Sequence, residues 1–510
     1  MDSSPLVTLP RLNAQFLQSH PDLSPEITRR LLPEKVLQFG TGVFLRGFVD
    51  WMIDGMNRKG LFNGSVVVVP SIAPEIISKL DRQNCAYTHL ARGLENRKLV
   101  EQQQVVASIS RGIDPYVHFD EYLQCAHNPE LRFIVSNTTE AGIVYRAEDK
   151  QTDRPPASFP AKLTLLLIER YKAFNGDPSK GFVLLPCELI ERNGDTLKNT
   201  VLQMAKNWDL DPTILDWIEN ANVFTNTLVD RIVTGFPRDE IEALWQASGY
   251  TDDLFNTSDV FHLWVIEGPA QLATELPLQE AGFNVIFTDD IAPYRNRKVR
   301  ILNGAHTVTA LAAYLAGKDL VGECMSDPLI GGFMKRAIYD EVIPTLSLPK
   351  EQLESFAAAV FERFSNPFIK HSLLSISLNS VSKYKARLLP SIEQYLAIHG
   401  RLPARLVFGL AALIAFYRGT SIQNGALVGH RDGKEYRIQD SPAVLQAFAD
   451  LWSNFDRSTS GIRSLTDAVL RREDWWGKDL RQLPGMAATV SGHLESILNH
   501  GMKTSLQHVS

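Results

Sequence analysis

The chain has 510 residues, 44% of them hydrophobic and 22% charged, and its formal net charge is −6. This length is typical of two domains, and the hydrophobic fraction is sufficient for a large core. The small acidic excess is spread along the chain, which argues against a nucleic-acid-binding protein.

The N-terminus and the cysteines give no sign of export or of a membrane. The first residues lack a basic segment followed by an apolar run. The longest apolar run, Leu406 to Tyr417, is shorter than the roughly 20 residues that cross a bilayer. The four cysteines lie far apart, without a pair or a Cys/His cluster at zinc-binding spacing. We therefore expect a cytoplasmic protein that has no membrane association and binds no metal.

The first half of the chain alternates strand and helix patterns after a polar lead-in at 1–33. Continuous β-branched runs such as Val66–Val69 are typical of a parallel sheet that is covered on both faces. Helices are predicted after the first strand, to about 58, and at 161–174. The pattern predicts an α/β, Rossmann-like doubly wound domain over residues 1–290, with buried strands at 36–39, 65–72, 132–139 and 181–188.

The second half has almost no β-branched runs and is helical in pattern. One helix is predicted from Arg297 to about Ala316, with Gly317 as its C-terminal cap. We expect a second, mostly α-helical domain over residues 291–510 that carries substrate and catalytic groups. Its further predicted helices lie at 351–364, 388–399, 404–418, 442–453, 460–471 and 488–499.

A glycine turn follows the first predicted strand. Gly40 and Gly42 allow a tight turn and let a pyrophosphate approach the N-terminus of the next helix. Leu45 stands where the dinucleotide fingerprint has its third glycine, so a purely structural turn stays open. An arginine in the first helical turn could reach a phosphate. The predicted cofactor contacts here are Phe39, Gly40, Thr41, Gly42, Val43, Phe44 and Arg46.

Hydroxyl, amide and acidic side chains follow the strand at 132–139. A doubly wound sheet holds its ligand at this carboxyl edge, which makes them candidate cofactor contacts. For Asn137 and Thr138 a turn-capping role is the alternative. Pro70 and Ser71 stand where an acidic residue would bind the ribose of NAD, so NADP stays open as the cofactor. The candidates after this strand are Asn137, Thr138, Thr139 and Glu140.

Lys298, Asn303 and His306 lie in one predicted helix. On an ideal α-helix, Lys298 is about 140° from Asn303 and about 80° from His306. A lysine with a lowered pKa can give a proton to a ketone oxygen or take one from an alcohol, and an amide can stabilise charge on that oxygen. A solvated lysine beside a core histidine explains the same spacing, so the pattern alone leaves both interpretations open.

The Lys298-x4-Asn303-x2-His306 pattern, with the upstream GxGxxxR turn, resembles the polyol-specific long-chain dehydrogenase/reductase family. That family includes mannitol dehydrogenases and hexuronate reductases. The resemblance implies a zinc-independent, NAD-dependent oxidoreductase in which Lys298, Asn303 and His306 are catalytic and Asp230 contacts the cofactor. Further matches are Asn193-Gly194, Asn226, Val229-Asp230-Arg231-Ile232 and Glu267.

Two positions depart from the mannitol dehydrogenases. Leu189 replaces an asparagine that completes their oxyanion hole, and Ser375 replaces an arginine eight residues before Lys383. Phrases such as Leu37–Arg46 and Leu374–Lys383 resemble the hexuronate reductases instead. A hexuronate carries a carboxylate, so the pocket should hold cationic side chains. The predicted substrate contacts are Lys383, His371 and Arg387.

Several alternatives stay open. The resemblance leaves open which hexuronate epimer is the substrate, and the protein could instead be a mannitol or other polyol 2-dehydrogenase. A dinucleotide-binding protein that has lost catalysis is the alternative from a different class. The expected assembly is a monomer or a homodimer.

Overall fold

The computed structural model describes residues 9–23, 32–70, 75–138 and 141–509. The chain divides into two compact units. The N-terminal unit comprises Met1–Gly93 and Leu99–Ile291, and the C-terminal unit comprises Leu94–Lys98 and Ala292–Ser510.

A six-stranded parallel sheet organises the N-terminal unit, in the order β5-β2-β1-β6-β7-β8. This is the doubly wound order, in which the direction of strand progression reverses between β1 and β6. The sheet confirms the α/β fold. The strands of the unit are β1 (Glu34–Phe39), β2 (Ser65–Val69), β3 (Tyr87–Glu95), β4 (Lys98–Val106), β5 (Ile109–Gly112), β6 (Phe133–Ser136), β7 (Val183–Pro186), β8 (Val223–Phe224), β9 (Asn226–Asp230), β10 (Val233–Gly235), β11 (Asn256–Ser258), β12 (Leu263–Glu267) and β13 (Val285–Thr288).

Helices cover both faces of this sheet because alternate side chains of its strands enter two different cores. Val36 of β1 belongs to one core, together with Met52 and Ile53. Leu37 belongs to the other, together with Leu163. The helices of the unit are α1 (Ala14–Ser19), α2 (Val43–Arg46), α3 (Val49–Arg58), α4 (Glu75–Arg82), α5 (Phe119–Gln124), α6 (Phe159–Ala173), α7 (Asn193–Asn207), α8 (Pro212–Asn220), α9 (Ile241–Ser248) and α10 (Leu272–Glu275).

Two smaller sheets in this unit were not predicted. One has the order β10-β11-β3-β4 and the other β13-β12-β9. Strand β4 lies at a sheet edge with mostly exposed polar side chains, so it lacks the continuous apolar run that identified the parallel strands.

The C-terminal unit is mostly helical, as expected. The predicted helix from Arg297 to Ala316 is three consecutive segments rather than one, because a π-helical stretch at Lys298–Asn303 interrupts it. A second π-helical stretch spans Ala337–Val342. The α-helices are α11 (Ala292–Arg297), α12 (Gly304–Leu315), α13 (Val321–Ser326), α14 (Pro328–Arg336), α15 (Lys350–Phe364), α16 (Leu373–Ile376), α17 (Ser380–Arg387), α18 (Leu389–His399), α19 (Ala404–Phe416), α20 (Pro442–Ser453), α21 (Thr459–Leu470), α22 (Glu473–Trp476), α23 (Met486–His500) and α24 (Met502–Val509).

A three-stranded antiparallel sheet also belongs to the C-terminal unit, where no strands were predicted. Its strands are β14 (Ile422–Gln423), β15 (Ala426–Arg431) and β16 (Lys434–Ile438). Within the described ranges, no helix of either unit has the length and hydropathy needed to cross a membrane.

Candidate active site

The glycine turn lies at the carboxyl end of β1, beside the point where the strand order reverses. Gly40 has φ +116°, and a Cβ there would lie 2.8 Å from the backbone oxygen of Asn137. The buried side chain of Gln38 holds the turn in place, because its Nε2 donates to the carbonyl of Gly40 at 3.0 Å and to Asp50 at 3.2 Å. A Cβ on Gly42 would meet no atom within 4 Å. The turn therefore leaves open space beside Gly42, which fits the close approach of a pyrophosphate.

The other predicted residues of this turn offer mainly their backbone. The side chain of Phe39 is buried and packs on Phe159 at 4.8 Å, and its carbonyl accepts from the Asn137 N–H at 3.0 Å. Phe44 stacks on Phe48 at 5.0 Å. Thr41 is nearly buried, whereas the side chain of Val43 is 37% exposed. The apolar surface at Val43 suits contact with a planar ring of a cofactor.

The structure contradicts the predicted contact between Arg46 and a cofactor phosphate. Its side chain is buried, its Nη1 donates to the carbonyl of Leu254 at 2.6 Å, and its guanidinium lies 5.3 Å from the ring centre of Tyr87. The guanidinium is turned into the protein and held there. The predicted contact between Arg46 and a cofactor phosphate is therefore wrong.

The loop after β6 is fixed by an acidic residue that the sequence analysis did not select. Glu188, two residues after β7, accepts from the Ser136 hydroxyl and from both the backbone N–H and the hydroxyl of Thr138, each at 3.0 Å. Burial raises the pKa of Glu188. Asn137 donates to the carbonyl of Cys187 at 2.9 Å. These contacts favour the turn-capping alternative for the side chains of Asn137 and Thr138.

Three positions near this edge of the sheet lie outside the described residues. They are Thr139 and Glu140, which were assigned to the cofactor, and Ser71, which follows β2. The assignments of Thr139 and Glu140 stay predictions.

Asp230 lies on β9, in the three-stranded sheet rather than in the parallel sheet, and it is 6% exposed. At the other end of that strand, Asn226 donates to Glu267 at 2.8 Å. Glu267 in turn accepts from the N–H of Ile291 at 2.9 Å. The family-like positions Asn226 and Glu267 therefore fix the last residue of the unit, and a cofactor contact by Asp230 stays a prediction.

In the C-terminal unit, Lys298 and Asn303 begin and end the first π-helical stretch. A π-helix joins residues five apart by hydrogen bonds, so positions i and i+5 are neighbours as i and i+4 are in an α-helix. The separation of about 140° from ideal α-helix geometry is therefore wrong. The observed backbone places Lys298 and Asn303 on one face, and both side chains are half-buried.

His306 follows on α12 and is nearly buried. Its ring packs at a tilt against Phe364, with centroids 4.2 Å apart, and meets His371 edge-on at 4.9 Å. Burial, and then the positive groups around it, hold the pKa of His306 well below its usual range. The ring is therefore neutral near pH 7, so it can accept as well as donate a hydrogen bond.

Four side chains that carry or can carry a positive charge act electrostatically on His306, and each lowers its pKa. We call His306 and these four the basic cluster. Arg387 donates to the hydroxyl of Thr307 at 3.2 Å, and Lys383 donates to the carbonyl of Ile376 at 3.0 Å. Burial lowers the pKa of Lys383, as does Arg387. The members of the basic cluster are His306, Arg363, His371, Lys383 and Arg387.

The structure thus brings all three predicted substrate residues close to His306 and adds Arg363. That arginine lies in the last turn of α15, far in sequence from the catalytic pattern, and it lowers the pKa of both His306 and His371. So many cationic groups around one buried ring form a site suited to an anion.

The two positions that depart from the mannitol dehydrogenases are both exposed. The side chain of Leu189 is 65% exposed, and Ser375 is exposed at α16. Across the described ranges, no group of three or more His, Cys, Asp or Glu side chains is arranged to hold a metal ion.

Two family profiles together cover most of the chain. The profile described as the mannitol dehydrogenase Rossmann domain matches residues 34–280. The profile described as the mannitol dehydrogenase C-terminal domain matches residues 290–498.

Curated relatives share almost half of the sequence. Altronate oxidoreductases from Pectobacterium carotovorum subsp. carotovorum (strain PC1) and from Shigella flexneri are each 48% identical over 476 residues. These alignments cover 93% of this chain and 96% of each relative.

Solved structures resemble the chain over nearly its whole length. Pseudomonas fluorescens mannitol 2-dehydrogenase, in a ternary complex with NAD and D-mannitol, has a TM-score of 0.69 at 23% identity and covers 98% of this chain and 99% of its own. A substrate-free D-sorbitol dehydrogenase has a TM-score of 0.80 at 20% identity and covers 98% of this chain and 100% of its own. At these identities the likeness concerns the fold.

Proposed function

The chain belongs to the mannitol dehydrogenase family, and we propose that it interconverts D-tagaturonate and D-altronate with NAD(H). The basic cluster is the observation that carries the choice of a sugar acid over an uncharged polyol. A carboxylate would form hydrogen bonds there in which both partners are charged, and these are stronger than the bonds that a neutral hydroxyl accepts from the same cations. The 48% identity to altronate oxidoreductases supports the same substrate pair.

The N-terminal unit would hold the cofactor at the glycine turn. The open side of Gly42 and the exposed side chain of Val43 fit a dinucleotide that lies across the carboxyl ends of β1 and β6. Bound NADH supplies the hydride for reduction, and bound NAD accepts it in the reverse direction. Glu188 and Gln38 keep the loops of this edge in place through their contacts with Thr138 and Gly40.

The C-terminal unit would handle the proton and the substrate. Lys298 gives a proton to the carbonyl oxygen as the carbon is reduced and removes it from the hydroxyl during oxidation. Asn303, on the same face, donates to that oxygen and stabilises its developing charge. The neutral ring of His306 hydrogen-bonds the lysine or a substrate hydroxyl.

Lys383, Arg387 and His371 would bind the carboxylate of the substrate. Burial lowers the pKa of each of the three, because it disfavours the charged form of each side chain. A bound carboxylate would offset this cost. The site would therefore select substrates by charge before it selects them by stereochemistry.

A panel of keto-sugars tests the proposal. Rates of NADH and NADPH oxidation are measured with D-tagaturonate, D-fructuronate and D-fructose. We expect kcat/KM for tagaturonate with NADH to exceed that for fructose by about 100-fold or more, the worth of two charge-assisted contacts. Equal values for tagaturonate and fructose would contradict the carboxylate site, and faster reduction of fructuronate would assign the other epimer.

We also propose a cytoplasmic location. The four cysteines, all within the described part of the chain, form no disulfide, as is usual in a reducing compartment. The expectation of a monomer or a homodimer stays a prediction that sedimentation velocity can test.

A further inference from the structure

Helix α17 carries Lys383 and Arg387, but its start is held by another part of the chain. The residue before it, Asn379, has φ +54° and provides no side-chain cap. The N–H of Asn379 donates to the carbonyl of Gln439 at 3.0 Å, and the N–H of Val381 donates to Asp440 Oδ2 at 3.4 Å. The segment that leaves β16 therefore supplies the cap that α17 lacks.

The carboxylate of Asp440 is itself oriented by two further donors. The hydroxyl of Tyr417 donates to Oδ2 at 2.6 Å, and the N–H of Ser441 donates to Oδ1 at 2.8 Å. Tyr417 follows α19, is fully buried, and packs on Phe448 at 4.6 Å. Burial, and then the charge of Asp440, raise the pKa of Tyr417 well above its usual range, so the phenol remains a donor.

Asp440 also acts on the charge of Lys383. Burial is the largest effect that lowers the pKa of Lys383, Arg387 on the same helix lowers it further, and Asp440 opposes both. The ring of His306, on α12, is also coupled electrostatically to this lysine. An aspartate near the first turn of a helix also interacts favourably with the helix dipole.

We propose that Asp440 is a positioning residue that, through Tyr417 and the start of α17, sets the place of Lys383 and Arg387 for the substrate carboxylate. This inference depends on the proposed function, because it assigns a role in binding a sugar acid. The inference also assigns a role to the three-stranded sheet of the C-terminal unit, because its last strand, β16, ends two residues before Asp440 and so places that residue beside the start of α17.

Three variants separate charge from position. Asp440→Asn keeps an acceptor for Tyr417 and Val381 but removes the charge. Tyr417→Phe keeps the charge but removes one orienting hydrogen bond. Asp432→Asn is the matched control, because it removes an exposed carboxylate from the turn of the same sheet at φ +51°, which asparagine tolerates.

For Asp440→Asn we expect KM for D-tagaturonate to rise about five- to ten-fold near pH 7.5. Its KM should also begin to rise at a lower pH than in the wild type, because Lys383 loses its proton sooner without the opposing charge of Asp440. Tyr417→Phe should raise KM about three-fold without moving that pH limb. In both variants, kcat at saturating substrate and the Kd for NADH should stay within about two-fold of the wild-type values, which is roughly the scatter of such measurements.

A wild-type KM and pH limb in Asp440→Asn, with an unchanged Tm, would overturn the inference. So would an equal KM change in Asp432→Asn. If Asp440→Asn does not fold, Tyr417→Phe decides alone: an unchanged KM would reject the role of Asp440, and a raised KM would support it. Failure of the wild type to reduce tagaturonate would instead reject the proposed function, so the two failures are distinguishable.

Discussion

The two ligand-binding regions of this protein are built in opposite ways. At the glycine turn of the N-terminal unit, the side chains of Gln38, Arg46 and Thr138 are already bonded within the protein, and the backbone shapes the site. In the basic cluster of the C-terminal unit, positive side chains crowd around His306, and burial lowers the pKa of most of them. The first region should therefore respond mainly to changes of shape, and the second to changes of charge.

Removal of the proton donor should have the largest effect. Lys298→Ala should lower kcat for D-tagaturonate about 10²- to 10⁴-fold, because no other group in the proposed mechanism transfers that proton. The Kd for NADH, measured by fluorescence, should not change. Lys350→Ala, which removes an exposed lysine on α15, is the control. Retained turnover in Lys298→Ala would remove the lysine from the mechanism.

Removal of a charge from the basic cluster should have the next largest effect. Arg387→Ala should raise KM for D-tagaturonate about 10- to 100-fold, because a charge-assisted contact to the carboxylate is lost. Lys385→Ala removes an exposed lysine two residues away on the same helix and should leave KM unchanged. If both variants have the same KM, the substrate carboxylate binds elsewhere.

The two glycines of the turn test shape without charge. Gly42→Ala should raise the Kd for NADH about ten-fold with an unchanged Tm, because the added methyl occupies space that only a ligand would fill. Gly40→Ala should lower Tm as well, since alanine is strained at φ +116° and its Cβ would meet the Asn137 carbonyl. Tight NADH binding by Gly42→Ala would show that no pyrophosphate approaches this side.

A buried carboxylate gives the smallest expected effect. Burial raises the pKa of Asp50, which accepts from Gln38 below the glycine turn, to about 7. Because this pKa is raised on folding, the folded state is favoured at acidic pH and loses stability as pH rises from about 4 to 7. Asp50→Asn should therefore melt a few degrees above the wild type at pH 8, with a smaller difference near pH 5.

Calorimetry across this pH range measures the difference in Tm. Asp81→Asn, which removes an exposed carboxylate of the same unit, is the control. A difference that grows as pH falls would contradict the buried, protonated state of Asp50.

Much of the fold could be predicted because its signals are local. The continuous apolar runs of β1, β2, β6 and β7 identify buried parallel strands within a few residues. The C-terminal sheet was missed although its two turns carry the strongest hairpin signals, Asn424-Gly425 and Asp432-Gly433, all with positive φ. Strand β14 has only two residues, and β15 is buried at four consecutive positions, so neither shows the alternation of a half-buried strand; only part of β16 does.

The site could be predicted only where its residues are neighbours in sequence. The spacing of Lys298, Asn303 and His306 lies within one segment, whereas Glu188, Arg363 and Asp440 act on it or on the cofactor edge through the tertiary structure. Arg46 was wrongly assigned because its position in α2 does not fix its direction. Its side chain turns toward Leu254, more than 200 residues away in sequence.

The π-helical stretch also links the number of residues between Lys298 and Asn303 to the backbone geometry that brings them together. A π turn contains more residues than the α turn that it replaces. If the same number of residues formed an α-helix, Lys298 and Asn303 would lie about 140° apart, although every functional side chain would remain. Enzymes that share this mechanism should therefore combine the five-residue spacing of the lysine and the asparagine with a π-helical backbone between them, whereas gaps in surface loops should be common.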